Sequence, residues 1–552
     1  MLAHTLLLWL SERSRVVVDT ETDGLAWEAA VRLVQFGDSH GGFAISVENE
    51  VGRALVRHAL TMYRGQLVFH NSAFDIRRLG QIGCDPDYLW PRAINTHTLA
   101  HIVEPGEISF KLKDLAVKYL GPEANEAEKA MKALAKAQGL GKEWWKLPLC
   151  DLAPYGIKDT VLTSRLYDFY APQLADSDWA VCARELEAAE AVAQVQWKGF
   201  RFDVAGAEKL RARWQEERLA DQDWFAQFGI VKPGSSRQVS KVLMEQGWQP
   251  EKYTPTGEVT LDRVVLKTLG DYEVARRHIE WKRRDKWTAA YIDGALNAVD
   301  SQGRVHAGYN PLGARTGRMS CSKPPLQQLP KGGGGEIRSL FIASEGNLIG
   351  SVDYSQIEMR LAGHFSQDPD IIQMYEEGID VYQEMADFIG CTRPQAKIAS
   401  LAAVYGSYGK SIAVALNCPV EEAVRIVDAF WQQFPKLGRW CRAVQNAARG
   451  GRVPHSQWGR GLRPHLPYAA GNAIIQGTAA EVLKDGLLRL AEANLLQYVV
   501  ALVHDEVVLD VPEADAVAVT NQVAVVLEDR NFIIPLTAEP EVYGKSWGDG
   551  YV

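Results

Sequence analysis

The chain opens with short apolar runs set between amphipathic stretches. Arg15-Val16-Val17-Val18-Asp19 predicts a buried strand, and Val31-Arg32-Leu33-Val34-Gln35-Phe36 predicts a second. Gln66-Leu67-Val68-Phe69-His70 predicts a third, ending at the turn-prone pair Asn71-Ser72. Strands interleaved with helical patterns point to an α/β unit on a mixed sheet. Residues 123–138, rich in Ala, Glu and Lys, predict an exposed helix that Gly139-Leu140-Gly141 ends. From about Ala171 the pattern turns helical, with an apolar-striped helix over residues 183–195. Gly332-Gly333-Gly334-Gly335 predicts a flexible joint. After it, Leu340-Phe341-Ile342 and residues 348–352 predict strands, and helices dominate from Pro369 to Arg449. Strand signals return at residues 498–503 and 507–509. A strand-rich region is thus split by a helical insertion, and no internal repeat is present.

Composition narrows the class. A chain of 552 residues holds about three to four domains at roughly 150 residues each. Its 47% hydrophobic and 23% charged content is that of a globular protein and excludes a disordered, collagen-like or fibrous chain. The net charge of -9 does not advertise a nucleic-acid partner, yet a local basic groove binds phosphates whatever the rest of the surface carries. One such run is Arg276, Arg277, Lys282, Arg283, Arg284 and Lys286, offset by Glu280 and Asp285 and interleaved with Trp281 and Trp287. It reads equally as a solvated helix face and as a phosphate grip. The seven cysteines never form a CxxC pair, which fits reduced thiols and gives no zinc framework. The apolar start lacks a basic leader, and no run reaches the roughly 18 apolar residues of a membrane span. A soluble, cytoplasmic protein is expected.

The chemistry of the second half lies in two acids. Asp353 closes the apolar run 348–352, and Asp505 follows the apolar run 498–503. An apolar strand that delivers an acid at its end places it at a sheet edge or turn. Two such acids on neighbouring strands can share divalent metals about 3.5–4 Å apart, as two-metal phosphoryl transfer requires. Carboxylate oxygens are the hard ligands that Mg²⁺ prefers. Spacing alone favours a pair of turn-capping aspartates.

The surrounding residues decide between these readings. Asp353-Tyr354-Ser355-Gln356-Ile357-Glu358-Met359-Arg360 resembles motif A of family-A DNA polymerases. Arg393-Pro394-Gln395-Ala396-Lys397, followed by Tyr405-Gly406, resembles motif B, and Val503-His504-Asp505-Glu506 resembles motif C, in the family's order. Arg315-Thr316-Gly317-Arg318, Leu326-Gln327-Gln328-Leu329-Pro330 and Gln476-Gly477-Thr478-Ala479-Ala480 are similar to further family segments, so that the resemblance covers essentially the whole chain. It implies that Asp353 and Asp505, with Tyr354, hold catalytic metals, and that Arg393 and Lys397 bind the triphosphate. Tyr405 would lie beside the nascent base pair. Glu358 would be the steric gate that rejects a 2′-hydroxyl. Gln356, Arg318, Gln327 and Gln476 would contact minor groove, template or primer, and His504 and Glu506 would face the primer terminus. Local physics agrees: Thr392 can cap a helix on which Arg393, Lys397, Leu401 and Tyr405 follow at steps of four. Two positions depart from the pattern. Leu401 stands where many members carry an aromatic ring, and Tyr382 stands where bacterial members place a triphosphate-contacting His.

The first half carries its own acids. Asp19 and Glu21 are two apart on a strand and share a face. Asp75 lies four after Asn71, and Tyr155 and Asp159 are spaced for one helix face. Together they can hold two metals and orient a water. The ordered set resembles the four-carboxylate 3′–5′ exonuclease with a Tyr ahead of the last Asp. By that resemblance Asp19, Glu21 and Asp159 bind metal, Asp75 assists through water, and Tyr155 positions the nucleophile.

The expected architecture is α/β and multidomain, a ribonuclease-H-like exonuclease followed by a right-hand polymerase. The spans expected are exonuclease 1–175, thumb 176–305, first palm part 306–365, fingers 366–454 and second palm part 455–552. The basic run would lie in the thumb, with Arg283 and Arg284 gripping DNA. The function implied is template-directed addition of dNTPs to a primer 3′-OH with proofreading, in replication. Two Mg²⁺ per site, replaceable by Mn²⁺, would serve as cofactors. Primer-template DNA and dNTPs would be the partners of a monomer, with replisome accessory proteins and no membrane. No 5′-nuclease domain is expected ahead of the exonuclease, and a phage origin is favoured over a trimmed bacterial fragment. Two rivals are a single-subunit RNA polymerase, against which Glu358 and the exonuclease argue, and a catalytically silent DNA-binding scaffold, against which Asp353, Asp505 and Lys397 argue.

Overall fold

A computed structural model of the chain describes residues 2–24, 26–250, 252–254, 257–330, 335–416 and 418–551. Its first unit is built on five strands: β1 (Arg15–Thr22), β2 (Val31–Gly37), β3 (Gly42–Ser46), β4 (Gln66–Phe69) and β5 (Ala93–Asn95). Their order is β3-β2-β1-β4-β5, antiparallel across β3, β2 and β1 and parallel across β1, β4 and β5. The mixed sheet expected from sequence is present. β3 and β5 escaped the apolar pattern because β3 is a half-buried edge strand and β5 has only three residues. Around the sheet lie α1 (Ser72–Gln81), α2 (Thr96–Val103), α3 (Leu112–Leu120) and α4 (Leu149–Tyr170). The Ala/Glu/Lys-rich segment forms a helix over Glu126–Ala137 that is not wholly exposed, since Met131 and Ala135 are buried.

A long helix, α5 (Asp176–Lys198), joins this unit to the rest and extends past the expected 183–195 at both ends. Ala189 and Ala193, one turn apart, enter the core of the first unit. Ala191, Val192 and Val195 enter the core of the second. Small side chains at these positions let one helix serve two cores at close approach. Next come α6 (Val204–Ala226) and α7 (Glu273–Trp287), which pack on each other.

The second sheet is antiparallel. It contains β6 (Asn347–Tyr354), β7 (Val499–Val503), β8 (Glu506–Pro512) and β9 (Ala538–Gly544) in the order β7-β8-β6-β9. Between β6 and β7 the chain leaves the sheet through α8 (Ile357–Ser366), α9 (Val381–Ile389), α10 (Arg393–Val404) and α11 (Ala470–Glu492). The split sheet read from sequence is therefore real. β7 is buried at every residue, which is why it reads as an unbroken apolar run.

Leu340-Phe341-Ile342 is not a strand: Phe341 and Ile342 make single bridges to different partners, Phe202 and Ser546, so no ladder propagates. The glycine run expected as a joint falls at 332–334, outside the described residues, and Gly335 opens a short helix to Arg338. No helix among the described residues is long and apolar enough to cross a membrane.

Candidate active sites

The C-terminal site forms where the two halves of the split sheet meet. Asp353, next to last in β6, lies opposite Glu506 at the start of β8. Asp505 sits in the tight β7–β8 turn, where His504 takes the left-handed conformation, φ 62°. The amide of Tyr354 donates to the carbonyl of Asp505 at 3.2 Å, so the two aspartates lie side by side although 152 residues separate them in sequence (505 − 353). Both are partly exposed. Tyr354 turns its hydroxyl inward to the carbonyl of Leu527 at 2.8 Å, which leaves its main-chain oxygen as the only group for a cation. Glu506 departs from the expectation that it faces a primer. It is buried and accepts from Ser351 Oγ at 2.9 Å and Trp547 Nε1 at 3.2 Å.

The cationic residues of the expected site lie on α10. The Thr392 hydroxyl caps the helix and Gln395 reciprocates in a capping box, with Pro394 in the first turn. Arg393 and Lys397 are exposed, and Arg393 is clamped by Asp380 at 2.6 Å. Tyr382 is buried beneath them, its ring centre 5.7 Å from Lys397 Nζ and 5.9 Å from Arg393 Cζ, so it supports these cations from below. Leu401 is half-buried one turn further on, and Tyr405 is the C-cap. Glu358 accepts from both Arg318 Nη2, at 2.7 Å, and the Tyr405 hydroxyl. Gln476 bonds Tyr405 in turn, and burial followed by the Glu358 charge raises Tyr405, keeping it a neutral donor. Gln356 takes a left-handed conformation (φ 50°) and accepts from Tyr375 at 3.0 Å, while Gln327 reaches the carbonyl of Leu502 at 3.5 Å. Arg318, Glu358, Tyr405 and Gln476 are therefore joined in one chain of hydrogen bonds, and Gln356 bonds Tyr375 instead.

The basic run on α7 is less free than its sequence suggests. Arg277 and Arg284 turn inward to Asp221 of α6 at 3.0 and 2.9 Å, and Arg284 also meets Glu217 at 2.8 Å. Arg283 pairs with Glu280. Arg276, Lys282, Arg283 and Lys286 are the exposed cations of the run. Arg284 is thus braced within the helix pair rather than presented to a ligand.

The N-terminal site gathers every acid expected of it. Asp19 and Glu21 project from β1, Asp75 from α1, and Tyr155 and Asp159 from α4. Asp75 accepts from Thr20 Oγ1 at 2.7 Å. Burial, the Asp19 charge and the Asp75 charge hold Glu21 well above the ordinary carboxylate range. Burial and Asp19 do the same to Asp75. Asp19 is pushed up to about 6 by burial, partly offset by Lys113 and the Thr20 amide. The carboxylates crowd around Lys113 of α3, whose ammonium bonds Asp159 and stands 4.7 Å from the centre of the Tyr155 ring. Burial lowers Lys113 to about 8, and the charges of Glu128, Asp19 and Glu21 oppose that fall. Among the described residues no three His, Cys, Asp or Glu side chains are, as they stand, grouped closely enough to hold a metal ion. Here an ammonium stands where the acids concentrate negative potential. A donor set of hard oxygens that draws in a cation fits a divalent metal. Asp353 and Asp505, partly exposed and adjacent, fit one by the same chemistry.

Sequence reasoning missed Thr20, Lys113 and Asp380. Asp380 left a weak trace, as an N-cap acid thirteen residues before Arg393 (393 − 380). Lys113 left none, because its neighbours belong to distant segments.

A mixed-sheet unit with four acids, joined to a split antiparallel sheet with two aspartates and a cationic helix, is the build of a nucleic-acid polymerase that carries its own nuclease. Comparison with known proteins gives the family. The pattern of DNA polymerase family A matches residues 207–549, and that of a 3′–5′ exonuclease matches residues 3–175. The DNA polymerase of Mycobacterium phage L5 is 30% identical over 563 residues, 97% of this chain and 93% of that one. The DNA polymerase of Mycobacterium phage D29 is 29% identical over 97% of this chain and 93% of its own. DNA polymerase I of Mycobacterium tuberculosis is 29% identical over 82% of this chain and 53% of its own length. Among solved structures, the POL domain of Pol1 from M. smegmatis, in complex with DNA primer-template and dNTP, shares the fold with a TM-score of 0.81 at 24% identity, covering 99% of this chain and 98% of that one. The chain belongs to DNA polymerase family A and carries a 3′–5′ exonuclease domain.

Proposed function

We propose that this DNA polymerase extends a primer 3′-hydroxyl with dNTPs at Asp353 and Asp505 and edits at Asp19, Glu21, Asp75 and Asp159. The observation that carries the reading is the Tyr354–Asp505 backbone hydrogen bond, which brings two distant aspartates to one point of the sheet. Polymerase and exonuclease domains of these kinds generally use divalent metals. Mg²⁺, or Mn²⁺ in its place, would be held by Asp353, Asp505 and the Tyr354 main chain, and by Asp19, Glu21 and Asp159. When bound it supplies the charge that makes the attacking oxygen nucleophilic and steadies the leaving group. Arg393 and Lys397 neutralise the triphosphate, and Asp380 holds Arg393 in place for it. Glu358, anchored by Arg318 and Tyr405, closes the space a 2′-hydroxyl needs. Leu401 offers an aliphatic surface where an aromatic ring is usual, and Tyr382 acts through Arg393 and Lys397 from below. Gln356, Gln327, Gln476 and His504 line the path of the primer-template. Tyr155 orients the water in the editing site.

The hand is divided as exonuclease 1–175, thumb 176–305, palm 306–365 and 455–552, and fingers 366–454. Thumb contact with duplex phosphates falls to Arg276, Lys282, Lys286 and, at the rim, Arg283. A cavity of about 590 Å³ beside Asn71, lined by Phe110, Lys111, Tyr309 and Asn310, runs between exonuclease and palm and suits a frayed single strand. The chain works on primer-template DNA as a monomer in replication, in a bacterial or phage-infected cytoplasm, with accessory proteins as further partners. Primer extension with each dNTP alone, by wild type and Asp19→Ala, tests the reading. Template-matched addition by both, with 3′-end degradation only by wild type, is the result expected. Untemplated addition, or unchanged degradation by Asp19→Ala, overturns it.

A further inference from the structure

Between the exonuclease domain and the palm lies a buried polar cluster that the reaction does not use. Glu185 of α5, Lys484 of α11 and Arg460 are each at most 1% exposed. Lys484 Nζ donates to both oxygens of Glu185 at 2.8 Å, and Arg460 donates to the same carboxylate. Two cations on one carboxylate leave donors over, and these run outward in two directions. Lys484 also donates to the carbonyl of Gly317 at 2.9 Å. Arg460 Nη1 donates to His101 Nδ1 at 3.4 Å, and His101 Nε2 meets the carbonyl of Ala314 at 3.0 Å. A guanidinium can only donate and a carbonyl only accept, so His101 must be the neutral Nε2–H tautomer. Burial, and then the Arg460 charge, keep it neutral.

The two carbonyls reached in this way are the ends of one turn. Ala314 N donates to Arg318 O at 3.1 Å, and Gly317 N donates to Ala314 O at 2.9 Å. Gly317 has φ +82°, and a Cβ there would stand 3.2 Å from Arg460 Nε, so the turn lies directly on the cluster. Arg318 leaves this turn and reaches Glu358 at 2.7 Å. His101 belongs to the exonuclease domain, on α2, and Lys484 to the palm. The turn that aims Arg318 is therefore held from one side by each domain.

We propose that His101 is a positioning residue for nucleotide selection: through its Nε2–H bond to Ala314 the exonuclease domain fixes the turn that orients Arg318 against Glu358. The inference rests on the polymerase reading of the Arg318–Glu358 pair. A misplacement of about 1 Å in such a group costs up to roughly a hundredfold in rate.

The test uses the full chain with His101→Leu, which keeps apolar bulk without an N–H, and His101→Gln, which returns an N–H near Nε2. Four quantities are read: kcat and KM for the correct dNTP, the ratio of kcat/KM for dNTP over rNTP, excision of a single-stranded oligonucleotide, and melting temperature. His101→Leu is expected to lower the dNTP-over-rNTP ratio at least about fivefold while excision stays within about twofold of wild type. His101→Gln is expected to recover most of the ratio. An unchanged ratio in His101→Leu overturns the inference. So do parallel losses of extension and excision with a lowered melting temperature, and a His101→Gln no better than His101→Leu. A wild type that extends no primer removes the polymerase reading and the inference with it. A wild type that extends while His101→Leu matches it removes the inference alone.

Discussion

At the scale of single residues, the groups legible in the sequence were those whose chemistry is written locally. Asp353, Glu358, Lys397 and Asp505 sit in short motifs; a Tyr354–Asp505 hydrogen bond sets the two aspartates side by side, and Arg318 and Tyr405 hold Glu358. Lys113, Glu185 and Lys484 were invisible because each draws its meaning from partners far away in sequence: the ammonium of Lys113 meets acids from β1 and α4, and that of Lys484 a glutamate on α5. A lone lysine in an amphipathic helix carries no sign of burial. Glu506 shows the converse, a motif residue whose carboxylate is enclosed by Trp547 and Ser351 instead of facing a ligand. Glu358 gives the sharpest residue-scale expectation. Arg318 and Tyr405 hold its carboxylate rigidly, so Glu358→Ala opens the space it fills. Ribonucleotide incorporation should rise at least about tenfold relative to deoxyribonucleotide, a change of about 1.4 kcal/mol. Competitive incorporation of rNTP and dNTP on one template measures it, and an unchanged ratio removes Glu358 as the gate.

At the scale of elements, packing imposes constraints that single motifs do not show. α4 carries both Tyr155 and Asp159, and it approaches β2 closely at Gly156. A Cβ there would lie 2.2 Å from Nε2 of the buried Gln35 side chain, so either that side chain or the helix must move to admit a larger residue. Gly156→Ala should push α4 off the sheet and move Tyr155 and Asp159 from Asp19. Excision should fall at least about tenfold with primer extension little changed. Equal excision by the variant would mean that α4 has room to spare. On α10 the capping box is the corresponding feature. Thr392→Ala removes the side-chain cap at a cost of about 1 kcal/mol and loosens the turn bearing Arg393. A raised KM for dNTP at nearly constant kcat is expected, read from steady-state extension, and a fall in kcat alone would point elsewhere. Strand reading succeeded where burial was complete, as in β7, and failed where it was partial. Residues 340–342 are apolar enough for a strand, yet Phe341 and Ile342 are claimed by different neighbours. β9 runs from buried Ala538 through three exposed residues to three half-buried ones and showed no period-two pattern.

At the scale of the whole molecule, the joint between nuclease and polymerase is a shared core, not a linker. α5 contributes Ala189 and Ala193 to one side and Ala191, Val192 and Val195 to the other, and the buried ionic cluster sits on the same helix. Glu481 belongs to that cluster, accepting from Ser456 Oγ at 2.5 Å and the Trp458 amide at 2.9 Å. Burial raises its carboxyl from the ordinary 4.5 to about 7. A carboxyl raised on folding contributes stability that is full below pH 4.5 and is lost as pH rises through about 7. Glu481→Gln, which cannot ionise, should therefore melt closer to wild type at about pH 5 and gain on it at about pH 8.5. Thermal melts of both proteins at the two pH values check this, and a gap that narrows with rising pH would reverse the sign.

The convergence of two distant aspartates on one catalytic point is tested most directly by single-turnover primer extension with Asp353→Asn, Asp505→Asn and the double variant. Each single change should slow extension at least about a thousandfold, roughly 4 kcal/mol, and the double change should add little, because groups that act as one unit fail together. Near-normal extension by either single variant, or a double variant slowed by the product of the two single losses, would contradict a shared site.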